Sequence, residues 1–284
     1  MKKIVSTLGI SLVTMTFAFV PCSQAQRALH PNATAAAAGG QNQLGPLAPA
    51  RQYVGQQVKT SRGENLGKVE DFVVDLESGR ILYAVVNVSG SYRPIPAELL
   101  APGSDHKTVT TQATKQQVES SPALTKEDLA QWSSSSFAGG VYRHFNQSPW
   151  WQGDAAAAQA NKPFGNIHRI TTLANLPVQG SSNEKIGKIQ NALLDLKSGR
   201  VAFLILNPSD ILGQGNHLVA VPPNAFTKGT GNALVTGLDK NTLNSAPKYN
   251  NNFAELSQPA KAGAIYSYYG KQPWFNQGLS PTGR

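Results

Sequence analysis

Apolar residues along this chain gather in short dense runs, cut apart by polar or glycine-bearing turns. Residues 69–76 and 81–88 are rich in Val, Ile, Phe and Tyr, and Glu77-Ser78-Gly79-Arg80 separates them. That pattern predicts a β-hairpin in which Gly79 takes the left-handed conformation that a short bulged turn requires. Upstream, a first strand around Val58 is followed by a tight turn at Ser61-Arg62-Gly63-Glu64. Downstream, strands are expected near 93–95 and 108–111, with helical turns at 96–100 and 114–118. Thr114 and Gln117 have the spacing of a capping box. Positions 81–86 are apolar throughout rather than alternating, so this strand should be covered on both faces.

The whole pattern occurs twice. Residues 67–87 return as 187–207 with eight of 21 positions identical, among them Gly67/Gly187, Asp75/Asp195, Gly79/Gly199 and Arg80/Arg200. Ordinary composition would give about one or two. Most mismatches exchange like for like, and Asn183 replaces Gly63 in the first turn, as suits a residue that tolerates positive φ. Further matches follow in the same order: Ile95-Pro96 with Val221-Pro222, Val141-Tyr142 with Ile265-Tyr266, and Pro149-Trp150-Trp151 with Pro273-Trp274-Phe275. A unit of roughly 120 residues has been duplicated, far longer than a solenoid repeat. A strand is likewise predicted at 218–221 in the second unit. About six short strands per unit, with no βαβ spacing, predict an all-β fold of two small closed barrels with short helical turns and aromatic tails. Each barrel is expected to enclose its own core; a single sheet shared by both would overturn that expectation.

The turn, then Gly-Lys-Val/Ile, then Asp-Leu-x-Ser-Gly-Arg, then an apolar strand and Ile/Val-Pro resembles the PRC-barrel, over about residues 52–122 and 172–247. That family is named for the cytoplasmic part of the photosynthetic reaction centre H subunit and also occurs in a ribosome maturation factor. The resemblance implies a barrel with adaptor-like roles and no shared catalytic residues. The segments after each barrel are similar to tails that accompany exported members.

The first 25 residues read as a secretory signal peptide, with Lys2 and Lys3, an apolar stretch over 4–20, and Ser23-Gln24-Ala25 placing small residues for cleavage after Ala25. Retention as a membrane helix is the alternative. Cleavage would remove Cys22, the single cysteine, and with it disulfides and thiolate sites. The expected location is therefore periplasmic or secreted. Residues 26–50 are Ala/Gly/Gln-rich and expected to be a disordered tether, with 51–152 a first domain and tail, 153–168 a linker, 169–276 a second domain and tail, and 277–284 a disordered end. Formal net charge is +9, or +7 without Lys2 and Lys3, and the basic residues are scattered. This balance permits binding to an anionic membrane or cell-wall surface. Export argues against nucleic acid as the partner.

The search for chemistry is largely negative. The five histidines stand singly, without His-x-x-x-His spacing, and no nucleophile elbow, P-loop or dinucleotide fingerprint occurs. No catalytic, metal or cofactor residue is therefore assigned, and no cofactor is expected. Ser182-Asn183-Glu184-Lys185 matches Ser-x-x-Lys but falls in the tight turn without companion motifs. Gly63, Gly67, Asp75, Gly79, Arg80, Asn183, Gly187, Asp195, Gly199 and Arg200 form a structural turn signature, the aspartates accepting backbone hydrogen bonds. Aromatics crowd both tails; they either fold back over the barrels or, at Trp150, Trp151, Tyr266, Trp274 and Phe275, form an exposed partner surface. The function these readings favour is non-enzymatic binding to an envelope protein. Attachment to an anionic surface comes second and an unrecognised hydrolase third; self-association between barrels is a further option.

Overall fold

The computed structural model describes residues 43–125, 132, 134–152, 165–208, 217–231 and 233–275. The expected signal peptide, most of the tether, the linker up to residue 164 and the C-terminal end lie outside these. The fold is mostly β, with short helices. The first copy contributes strands β1 Ala48–Pro49, β2 Gln57–Thr60, β3 Asn65–Asp75, β4 Arg80–Val88, β5 Ser91–Pro96, β6 Leu100–Pro102 and β7 Thr108–Thr111. The second contributes β8 Ile167–Arg169, β9 Pro177–Gln179, β10 Lys185–Asp195, β11 Arg200–Asn207, β12 Leu218–Val221, β13 Phe226–Lys228, β14 Leu234–Thr236 and β15 Lys248–Tyr249.

Within the first copy the neighbours run β5-β4-β3-β2-β7-β6, and a 3-10 turn at Ala97–Leu99 carries β5 into β6, closing six strands. The second repeats this as β12-β11-β10-β9-β14-β13, closed through Pro223–Ala225. Local chemistry accounts for the turns. Gly63 and Asn183 have φ of 85° and 63°, and Gly79 and Gly199 have 65° and 64°. Thr114 caps the helix Lys115–Glu119, accepting from Gln117 N while the Gln117 side chain accepts from Thr114 N.

Gly67 and Gly187 belong to no turn, although their place in the repeat grouped them with the turn signature. They lie inside β3 and β10, at φ 149° and 157°, where the ladder shifts register. A Cβ on Gly67 would stand 2.0 Å from Asn87 O, and one on Gly187 2.4 Å from Asn207 O. The partner strand occupies the space that any side chain would need.

Both faces of β4 are covered. One looks into the barrel with Ile81, Ala84 and Val86; the other carries Leu82, Tyr83 and Val85 into a smaller cluster with Trp132 and Ala138. The tail helix Ser135–His144 forms part of that second layer.

The expectation of two private cores is overturned. All fifteen strands join one sheet, and one cluster of buried residues, including Phe72 and Val74 with Phe203 and Leu204, runs through both copies. The physical reason is strand exchange. β1, at the start of the first copy, pairs with β10 of the second, while β8, at the start of the second, pairs with β3 of the first. The ends of the expected tether and linker are therefore ordered structure: Gly45 N donates to Asp195 (2.7 Å), Leu47 N to Ser257 Oγ (3.0 Å), and Leu76 N to Asn166 O (3.0 Å).

Gly67→Ala should destabilise the protein by about 3 kcal/mol or more, since β3 and β4 must part to admit the methyl group. Gly139→Ala, in the helix Ser135–His144 with open space around it, should stabilise by about 0.5–1 kcal/mol. Urea unfolding of the two variants checks the contrast.

Candidate functional site: the joint between the copies

The two hairpin tips meet at a local two-fold axis. Ile81 N donates to Gly199 O (2.9 Å) and Val201 N to Gly79 O (3.0 Å), with Arg80 and Arg200 directly opposed. Each tip lies against the other copy's connection: a Cβ on Gly79 would meet Pro223 at 3.2 Å, and one on Gly199 would meet Ala97 at 3.3 Å. Asp75 braces its own turn by accepting from Glu77 N, Ser78 N and Ser78 Oγ. Asp195 accepts from Ser198 N (3.2 Å) as well as from Gly45 N.

The aromatic tails complete this joint. The Arg80 guanidinium lies 4.9 Å over the Trp150 ring, and that of Arg200 5.1 Å over Trp274. Tyr142 donates to Leu82 O (2.9 Å), and Tyr266 to Ala202 O (3.0 Å). Trp151 sits edge-on to Tyr142, and Phe275 edge-on to Tyr266. Tyr266 and Phe275 are buried, while Trp150, Trp151 and Trp274 are partly covered. Burial therefore overturns an exposed partner surface at Tyr266 and Phe275, while Trp150, Trp151 and Trp274 keep part of their rings exposed beside the barrels. Among the described residues the one large apolar side chain classed as exposed is Tyr268. Its hydroxyl donates to Thr242 O, and His144, its counterpart by repeat, bonds Gln117 O through Nε2 (2.7 Å). Each ties its tail helix to the short helix of its own copy.

Symmetry breaks at two places. Glu98 stands where the second copy has Asn224; its carboxylate lies 2.9 and 3.1 Å from the Tyr142 hydroxyl. Burial pushes the Glu98 carboxyl up, against the pull of its hydrogen bonds and of Arg80 and Arg200. Burial, and then the Glu98 charge, holds Tyr142 well above the ordinary phenol range.

The second break is Asp71, which repeats as Asn191. Asp71 is fully buried in β3, where it accepts from Phe72 N (2.8 Å), Thr171 N (3.1 Å), the Thr171 hydroxyl and Arg169 Nε (2.7 Å). The Arg169 guanidinium also lies 4.6 Å over Trp132. This clasp locks the second copy's first strand onto the first barrel. The sequence signal for it was the acid–amide exchange Asp71/Asn191, beside the parallel exchange Glu70/Gln190 in the same strand.

An open cleft of about 630 Å³ lies beside the clasp, where Gln57, Lys68, Glu70, Asn87, Arg169 and Thr171 contribute to its walls. On the other side of β3, His168 is held neutral at ordinary pH: burial and the Lys228 charge push it down to about 4. Its Nε2 donates to Asn166 Oδ1 (2.8 Å), which must be the acceptor because Asn166 Nδ2 donates to Phe226 O (3.0 Å). Among the described residues no group of three or more His, Cys, Asp or Glu is arranged to hold a metal ion.

The PRC-barrel domain profile matches residues 48–118 and 165–241, two copies in tandem. The chain belongs to the PRC-barrel family. Both matches begin at the exchanged strands, so each PRC-barrel unit includes the element it lends to its sister. No curated protein matches the chain. The PRC-barrel family is generally non-catalytic.

Arg169→Ala should cost about 3 kcal/mol by leaving the buried Asp71 carboxylate without its cation. Lys115→Ala, which breaks an exposed pair at 3.8 Å, should shift stability by at most about 0.5 kcal/mol. Chemical denaturation distinguishes the two. Because the His168 imidazole resists protonation only when folded, stability should fall by up to about 3 kcal/mol as pH drops from about 6.5 to 4. Thermal melts of His168→Gln should lack that loss.

Proposed function

We propose that this protein is a non-enzymatic binding module exported to the cell envelope, where its fused double barrel docks a protein partner. The observation carrying this reading is the use made of the recurring polar residues. Asp75 and Asp195 brace turns, and Arg80 and Arg200 stack on tail tryptophans at the joint. These four recurring charged residues are thus engaged in building a scaffold, which accords with a generally non-catalytic family. The leader pattern over residues 1–25 supports export to the periplasm or beyond.

With the aromatic tails packed on the barrels, the docking surface on this reading is the cleft beside the Asp71–Arg169 clasp. Lys68 and Arg169 stand there with Glu70 and the amides Gln57 and Asn87. A wall carrying both signs and neutral amides suits a polar protein segment better than a uniformly anionic surface. A tail truncation before Tyr249 would not test this, because it also removes buried Phe253, Leu256 and Tyr266.

A photo-reactive side chain at Lys68, introduced in intact cells before fractionation, is expected to join the envelope-located protein to one discrete partner. Gln57→Ala with Glu70→Ala should abolish that product while leaving the melting temperature within about 2 °C. Recovery of the protein solely from the cytoplasm, or capture by anionic vesicles alone with a steep loss in salt, overturns the reading.

A further inference from the structure

The amide that replaces the clasp carboxylate points to a ligand site. Asn191 in β10 is 9% exposed, and its Oδ1 accepts from Ala192 N (2.9 Å), as Asp71 Oδ1 accepts from Phe72 N in the first copy. That bond fixes which side-chain atom is which, since a reversed amide would set NH₂ against N–H. Nδ2 therefore occupies the place of Asp71 Oδ2, where Arg169 and Thr171 meet the first barrel. In the second copy Pro49 and Arg51 stand at the positions of Arg169 and Thr171. No described residue gives the buried Nδ2 a hydrogen-bond partner.

This corner opens into a cavity of about 310 Å³ between the helices Ala50–Tyr53 and Ile170–Leu173. Val54, Ile170, Leu173, Ala174 and Ala192 make its walls largely apolar, and Arg51 and Asn191 lie on its border. The volume is at the low end for ligand pockets, roughly 300–1,000 Å³. The polar groups here are the buried Asn191 amide, the Arg51 guanidinium, and the exposed Thr171 and Gln190; Arg51 is the one cation, and no described acid lines the cavity.

We propose that this cavity binds a small amphiphilic carboxylate. The carboxylate accepts from Asn191 Nδ2 and pairs with Arg51, and the apolar stem lies between the two helices. Bound in this way, the ligand restores in the second copy the carboxylate–arginine pairing that the chain itself supplies in the first. A planar carboxylate suits a guanidinium better than a hydroxyl does, and one anion matches one cation. This site adjoins the cleft beside Lys68, sharing Val54 and Thr171 with it, but uses neither Lys68, Gln57 nor Glu70, so its failure would leave the docking proposal standing.

Decanoate, kept below its micelle concentration, can be titrated into the purified protein while the Asn191 side-chain amide is followed by NMR. The expected result is a saturable shift of that resonance, with decanol binding about tenfold more weakly or worse, as the loss of a charge-assisted contact implies. Arg51→Ala should weaken decanoate by a similar factor. Ala174→Trp, at an exposed position on the cavity wall, should abolish binding with the melting temperature unchanged. Absence of a saturable shift, equal affinity for decanol, or unaltered binding in both variants would overturn the assignment.

Discussion

Two backbone hydrogen bonds at the hairpin tips set the geometry of everything else. Ile81 N to Gly199 O and Val201 N to Gly79 O are equivalent under the local two-fold axis, so each tip presents its free groups to its twin. A β-edge left open exposes unpaired N–H and C=O groups and invites association with other chains. Here those groups are matched internally. Once the tips are joined, Arg80 and Arg200 must lie side by side, and two like charges at that spacing need compensation. Trp150, Trp274 and Glu98 surround them with ring faces and one carboxylate.

The same arrangement explains why the tails carry so many aromatics. A closed barrel buries one face of each strand, but β4 and β11 are apolar on both. The outward face needs a second layer, and the helices Ser135–His144 and Pro259–Tyr268 with the aromatic pairs that follow them supply it. Tyr142 and Tyr266 each keep their polar end satisfied by a strand carbonyl while burying their rings. The tails thus behave as part of the domain, although the family profile ends before them.

Much of this was legible in the sequence. The duplication, the hairpins, the Gly63/Asn183 turn, the Thr114 cap and the two-sided cover of β4 follow from short-range patterns that composition and spacing carry. The shared sheet did not follow, because β1 and β8 are two and three residues long and lack any periodic signature. Their partners lie more than ninety positions away, and pairing at that range is set by tertiary fit. Asp71 was missed for a related reason: beside Glu70 it reads as one more surface acid until its partner, Arg169, is known to arrive from the other copy. The strand-internal role of Gly67 was hidden in the same way, since only the approach of Asn87 reveals it.

Reciprocal lending of β1 and β8 has a consequence for how the chain comes to be folded. Translation delivers residues in order, so β3 emerges nearly a hundred residues ahead of Arg169, the group that neutralises its buried Asp71. Until then the first barrel carries an unsatisfied acid beside an open ladder, and a nascent half-chain would be prone to capture an identical neighbour. Completion of the molecule is therefore a late event, and any factor that shields the early half would raise the yield of monomer over intertwined pairs.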